Sequence, residues 1–263
     1  MQFFKRAALL LSGLAASITS SNSTQAQEEN WTGFFREDTP SGWLITIEQT
    51  TTYGQRGEPK YCAKLDYTFS PNQRSGNGFP NPEVIPMYNE LEDKICDELK
   101  NIDCRAIATK IGQDKRYAWF CSNEGNLPAE VSRVAKRFTE FQIDVKSATF
   151  AELQSLNPTT QEAQIAQNGK LLNSLQENGD LAERPRKIMH WIYGATSLTA
   201  ENIAKQLETL GYIIEETEGD KIVFSRVGRI DRNEFDNETR KLNGFCAGFG
   251  CMYDGWETAV VRK

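Results

Sequence analysis

The sequence predicts an α+β fold built from two tandem ferredoxin-like units, each an antiparallel sheet with helices on one face, joined by a helical segment. Three observations predict it. The C-terminal part reads strand, helix, strand, strand, helix, strand. The same order runs earlier in the chain, without obvious identity between the two copies. A polar stretch with helical periodicity separates them. The simplest packing of a βαββαβ string is a four-stranded antiparallel sheet carrying both helices on one side.

The elements follow in order. "GWLITIEQTT" (42–51) is an apolar, β-branched run and reads as a strand in front of the first unit. "KYCAKLDYTF" (60–69) is the unit's first strand, and "SPNQRSGNGFPNPE" (70–83) is a long Pro/Gly/Asn loop. "VIPMYNELEDKICDELKN" (84–101) reads as helix. "CRAIATKI" and "RYAWFCS" flank Gly112-Gln113-Asp114 as a hairpin, "AEVSRVAKRFTEF" is helical, and "QIDVKSATF" closes the unit. "NPTTQEAQIAQNGKLLNSLQENGD" opens on a Pro/Thr helix start and runs as an amphipathic helix, and "LAERPRK" leads into the second unit.

There "KIMHWIYG" (187–194) reads as a strand. "TAENIAKQLETLG" (199–211) is a helix, with Ile203, Leu207 and Leu210 at helical spacing and Gly211 as its stop. "YIIEETEG" and "DKIVFSRVGRI" are strands about Gly219-Asp220. "DRNEFDNETRKLNGFCAGFG" is a second helix, and "WETAVVRK" is a last strand. The expected boundaries are a leader at 1–26, an N-terminal unit at 31–150, a helical linker at 151–184 and a C-terminal unit at 185–263.

The first residues set the compartment. Lys5 and Arg6 precede an apolar run from Ala7 to Ile18, too short for an ordinary membrane-spanning helix. Thr24-Gln25-Ala26 supplies small residues for cleavage, so a secretory signal peptide cut after Ala26 is predicted. The expected location is periplasmic or secreted, with no membrane insertion after cleavage. Without Lys5 and Arg6 the chain has 28 basic against 36 acidic residues, a net charge of −8. That balance repels nucleic acid and anionic lipid, so no nucleic-acid partner is expected.

An oxidising compartment makes the six cysteines read as disulfides rather than metal ligands. No CxxC is present, and His190 is the sole histidine, so no metal or cofactor is expected. Six cysteines leave fifteen pairings open. The set adopted joins Cys62 to Cys121 across neighbouring strands, Cys96 to Cys104 between a helix end and a strand start, and Cys246 to Cys251 across the turn that ends the last helix.

Three stretches carry a family resemblance: "RPRKIMHWIYG", "LETLGY" and "MYDGWETAVV". With them the C-terminal unit resembles the regulator of ribonuclease E activity B family. The N-terminal unit resembles the family called domain of unknown function 695, and the joining segment is similar to the junction seen where these modules are fused. Cytoplasmic regulators of that kind bind ribonuclease E and restrain it, so the resemblance implies a non-catalytic regulatory protein. An exported, disulfide-bearing chain does not meet that enzyme, and the expected partner is another, unidentified protein.

In strand alternation His190 and Ile192 share one face, while Met189, Trp191 and Tyr193 share the other. The second set is a candidate partner-contact face, and Tyr253 and Trp256 are candidate contacts beside it. His190 reads as a hydrogen-bonded strand histidine rather than a base. Asp254-Gly255 reads as a turn that delivers Trp256 to the last strand. Asp254 and Glu257 beside aromatic rings raise the alternative of a hydrolase. A small-ligand sensor using a cleft between the units is the other alternative.

Overall fold

The computed structural model describes residues 31–36, 42–48, 58–76, 78–195 and 197–263. The leader expected at 1–26, its cleavage site and the end of the strand expected at 42–51 lie outside the described residues. The chain divides into two compact units, meeting between Pro158 and Thr159.

The first unit holds strands β1 (Trp31–Arg36), β2 (Trp43–Glu48), β3 (Tyr61–Thr68), β4 (Arg105–Gly112), β5 (Lys115–Ser122) and β6 (Ile143–Ala148). Its helices are α1 (Ile85–Glu98), α2 (Leu127–Ala135) and α3 (Phe150–Gln154). The six strands form one sheet in the order β1-β2-β4-β5-β3-β6, with every neighbouring pair antiparallel. Within it β4-β5-β3-β6 is the expected ferredoxin-like sheet, and β1-β2 extends it at the β4 edge.

Alternation on β3 sends Ala63, Leu65 and Tyr67 to the face under α1 and α2. There they join Phe120, Tyr88, Leu91, Ile95, Leu127, Val131 and Val134 in one core. Each such fully buried side chain contributes about 1.5–3 kcal/mol relative to exposure. An ion pair is sunk in this core. Arg116 donates from Nε and Nη2 to the two Glu92 oxygens, each at 2.7 Å, and Nη2 also reaches Asn89 Oδ1 at 3.1 Å. Two parallel charge-assisted bonds offset the desolvation that a lone buried charge would suffer.

Two elements of this unit differ from the sequence reading. β1 is not among the expected strands. Its pairing with β2, Phe34 opposite Ile45, makes it a strand. The residues expected to end the last strand instead start α3. Thr149 accepts a hydrogen bond from the Glu152 N–H, the Ser/Thr-x-x-Glu signature of a helix N-terminus.

The second unit holds α4 (Thr160–Glu177), β7 (Arg186–Tyr193), α5 (Ser197–Thr209), β8 (Ile213–Glu218), β9 (Lys221–Gly228), α6 (Arg232–Phe249) and β10 (Met252–Thr258). The sheet runs β10-β7-β9-β8, all antiparallel, which is the expected ferredoxin-like order. Ile192, Ile222, Phe224, Ile203, Leu207, Leu242 and Tyr253 form the core between the sheet and α5 and α6.

The last strand starts at Met252, four residues before the expected Trp256. Asp254-Gly255 is a β-bulge rather than a turn. The β10–β7 register slips between Tyr253 and Gly255, and Gly255 has φ 118°, which favours glycine.

The helix expected as a linker is part of the second unit. Thr159 caps α4 in a reciprocal box with Glu162. Asn168 donates to Thr239 Oγ1 at 3.0 Å and Asp236 Oδ1 at 3.1 Å, and accepts from the Trp256 indole at 2.7 Å. Gln164 donates to the Tyr253 carbonyl. The Arg232 guanidinium lies over Gly169, where a Cβ would stand 3.0 Å from Nη2. The segment after α4 is fixed by a buried pair: Arg186 bonds Asp180, which also accepts from the Val261 N–H at 2.8 Å. Burial alone would raise the Asp180 carboxyl, but the bonds from Arg186 and Val261 outweigh it and hold it below the usual carboxylate range.

Candidate protein-contact face

The register of the second sheet decides which side chains share its outer face. Opposed residues in an antiparallel pair point the same way. Trp191 lies opposite Val223 on one side and Gly255 on the other; Met189 lies opposite Ser225 and Glu257. Tyr193 lies opposite Met252, Lys187 opposite Val227, and Ile213 opposite Ser225. One face therefore gathers Met189, Trp191 and Tyr193 with Val223, Val227, Ile213 and Met252. The core residues Ile192, Phe224 and Tyr253 point to the other side, toward the helices.

This face is open. Met189, Trp191 and Tyr193 are half-buried. Val227 is 67% exposed, Ile213 58% and Met252 53%, while Val223 at its centre is 5% exposed. Charged groups border it. Lys187 pairs with Glu215 at 2.7 Å, and Ser225 Oγ donates to the same carboxylate at 2.6 Å. These bonds hold the Glu215 carboxyl below its ordinary value. Lys221 sits 3.0 Å from Glu216.

Two expected contact residues belong elsewhere. Tyr253 is 1% exposed and Trp256 8%. Both lie on the helix side of β10, opposite Ile192 and His190, because the bulge at Asp254 lets both face inward. Trp256 stacks on Phe235 with ring centroids 3.8 Å apart. Their large rings fill the space under α4 and α6.

His190 is fully buried, as a strand histidine inside the helix-side layer. Its ring stacks on Phe224 at 5.2 Å, and Nδ1 lies 3.0 Å from Tyr253 Oη. Nε2 faces Glu238 Oε1 at 3.7 Å, beyond hydrogen-bond distance. Glu238 is already engaged by both Arg226 donors at 2.6 Å and by Tyr212 Oη at 2.7 Å. Burial lowers the His190 pKa to about 4, with Glu238 pulling upward and Arg226 adding to the fall. The imidazole is neutral at neutral pH, so its approach to Glu238 is not an ion pair there.

Asp254 and Glu257 are exposed on β10. Asp254 is the bulged residue and Glu257 lies opposite Met189, on the open face. Among the described residues no group of three or more His, Cys, Asp or Glu could hold a metal ion. No described helix is long and apolar enough to cross a membrane.

Of the expected disulfides, Cys62–Cys121 is closed, between residues directly opposed on β3 and β5. Cys96, Cys104, Cys246 and Cys251 are thiols. Sequence reasoning missed Ile213, Val227 and Met252 as members of the face. Val227 is signalled by the alternation Val223, Ser225, Val227; what sets all three beside Trp191 is strand order and register.

Residues 165–258 match the family model described as Regulator of ribonuclease activity B. No curated protein matches the chain. Among solved structures, an unknown protein from Galdieria sulphuraria is 15% identical, with 77% of this chain and 99% of that one covered and a TM-score of 0.21. A protein provisionally described as a glycine cleavage system transcriptional repressor is 6% identical, with 76% and 98% covered and the same TM-score of 0.21. Scores this low carry no argument about this chain. The family match spans most of α4 and all of the βαββαβ unit, and the C-terminal module of this chain is thus RraB-like.

Proposed function

We propose that the chain is an exported, non-catalytic regulatory protein that acts through protein contacts made by the open sheet face of its C-terminal module. The observation that carries this reading is the face itself. Met189, Trp191, Tyr193, Ile213, Val227 and Met252 form an apolar surface on a sheet whose other side already has its helices. Contiguous apolar surface of this kind, rimmed by charge, marks contact sites, and aromatic side chains are enriched where partners anchor. The RraB-like module supports a regulatory role, since its family's description names a regulator. Export finds support in the leader-like first residues and in the Cys62–Cys121 disulfide. It also argues against ribonuclease E itself as the partner. The N-terminal unit is read as a module of the domain of unknown function 695 kind.

The test is capture from the native envelope fraction with the oxidised chain as bait, comparing the unsubstituted protein with Trp191→Ala and with Met189→Ala/Tyr193→Ala. A partner identified by mass spectrometry should be held at least tenfold less well by variants that keep their far-ultraviolet circular dichroism. Equal capture by folded variants removes the face from consideration. Turnover of a substrate by the purified chain, lost in Asp254→Ala or Glu257→Ala, would replace this reading with the hydrolase. Mass spectrometry finding residues 1–26 still attached in mature material would overturn export.

A further inference from the structure

We propose that Cys246–Cys251 and Cys96–Cys104 are two disulfide sites, each closing the C-terminal end of a helix onto the strand that follows. Cys246 is buried in the last turn of α6, and Cys251 is half-buried just ahead of β10. Both belong to one apolar cluster with Phe245, Phe249 and Tyr253. The turn between them is already folded: Gly250 takes φ 69°, and the Cys251 N–H donates to the Cys246 carbonyl at 3.0 Å. Cys251 lies near enough to Cys246 to push its thiol pKa up.

The second pair repeats this arrangement. Cys96 lies in the last turn of α1 and Cys104 just ahead of β4, both in the core of the first unit. Asp103, at φ 50°, turns the chain back, and the Cys104 N–H reaches the Leu99 carbonyl at 3.3 Å. Here too the partner, Cys104, lies near enough to Cys96 to push its thiol pKa up.

The environment favours a structural bridge over a reactive thiol. Burial, with neighbouring Cys251, pushes the Cys246 thiol up; neighbouring Cys104, with burial, does the same to Cys96. A thiol kept protonated at neutral pH is a poor nucleophile toward substrates. Closure removes one hydrogen from each Sγ and forms one S–S bond. The two electrons and two protons pass to an external disulfide, glutathione disulfide in the test below, which is reduced to two thiols. The small ionised fraction of one cysteine attacks glutathione disulfide and gives a mixed disulfide, from which the second cysteine displaces glutathione; the raised pKa makes this slow without changing its end point.

Closing Cys246–Cys251 would fix the start of β10, which presents Met252 and Glu257 to the open face. The inference itself does not depend on that face being a contact site.

The experiment uses the chain from residue 27 onward, which holds every described residue, equilibrated in a glutathione redox buffer. Free thiols are alkylated with iodoacetamide, the protein is digested without reduction, and the peptides are mapped by mass spectrometry. The expected map holds Cys96–Cys104 and Cys246–Cys251 beside Cys62–Cys121, with no alkylated cysteine. Alkylation at Cys96, Cys104, Cys246 or Cys251 while Cys62–Cys121 is closed overturns the corresponding site, as does any crossed pairing. In Cys246→Ser, Cys251 should be the single alkylated residue; a bridge from Cys251 to another cysteine overturns its assignment. The map of the unsubstituted chain stands whether or not that variant folds.

Discussion

In the N-terminal unit the sheet face turned away from α1 and α2 is buried across β2, β5 and the start of β3, while Asp144 and Lys146 on β6 stay exposed at its edge. Trp43, Ile45, Ile47, Trp119 and the Cys62–Cys121 bridge lie on it, none more than 7% exposed, and Lys64 ties it to α3 through Glu152 at 2.8 Å. In the C-terminal module, built on the same βαββαβ order, the corresponding face leaves Ile213, Val227 and Met252 more than half exposed. One arrangement of strands thus supports two uses of a second face. Where it is covered it adds a second core; where it is open it is free to meet something outside the unit. A large ring has a different energetic meaning in each case.

The sharpest way to break this comparison is to truncate one tryptophan on each face. Trp119→Ala, at a site 3% exposed, should cost about 3–5 kcal/mol. In urea unfolding the N-terminal transition should move accordingly. Trp191→Ala, half-buried, should cost about 1 kcal/mol or less and leave the C-terminal transition nearly in place. A large loss at Trp191 would mean that the open face is a second core after all.

The next contrast lies in the buried polar groups. The N-terminal core carries the Arg116–Glu92 pair; the C-terminal core carries His190 beside Glu238 and Arg226. With its folded pKa at about 4 against 6.5 in the open chain, His190 leaves stability unaffected above pH 6.5. As pH falls from 6.5 to about 4, the unfolded chain takes up a proton that the folded module refuses. Stability should therefore drop, by about 3 kcal/mol in full. Glu238 acts in the same direction. Burial would raise it, but the Arg226 bonds, His190 and Tyr212 outweigh this and hold it low, so its contribution is lost as pH falls through its folded pKa. Urea midpoints at pH 7.5 and 4.5 should show the drop in the C-terminal transition, and His190→Phe should remove most of it.

Smaller effects test where the boundary between the units lies. Asn168→Ala leaves the buried Trp256 indole without its acceptor and should destabilise the C-terminal transition by about 2 kcal/mol. If α4 were only a connector, that transition would not move. Thr159→Ala removes the α4 cap and should cost about 1 kcal/mol in the same transition, read most directly as faster amide exchange at residues 160–163.

Much of this was legible along the chain. The βαββαβ order and the alternation that splits His190 from Trp191 follow from local periodicity. So does the cap at Thr159, whereas Thr149 and Phe150, which also fit a strand end, open α3 instead. Such features depend on residues within a turn or two of each other, where stereochemistry decides the outcome.

What only the tertiary structure decided depends on pairing between distant segments. β1 is a strand because β2 lies beside it. α4 belongs to the C-terminal module because Asn168 meets Trp256 and Thr239 across a helix interface. Tyr253 and Trp256 face inward because a one-residue bulge at Asp254 resets the alternation of β10. Inserting one residue into a strand of period two moves every later side chain to the other face. The sequence marks that event only by an Asp-Gly pair that serves equally well as a turn. Whether an apolar strand face becomes core or contact surface depends on what packs over it, which no residue on the strand itself encodes.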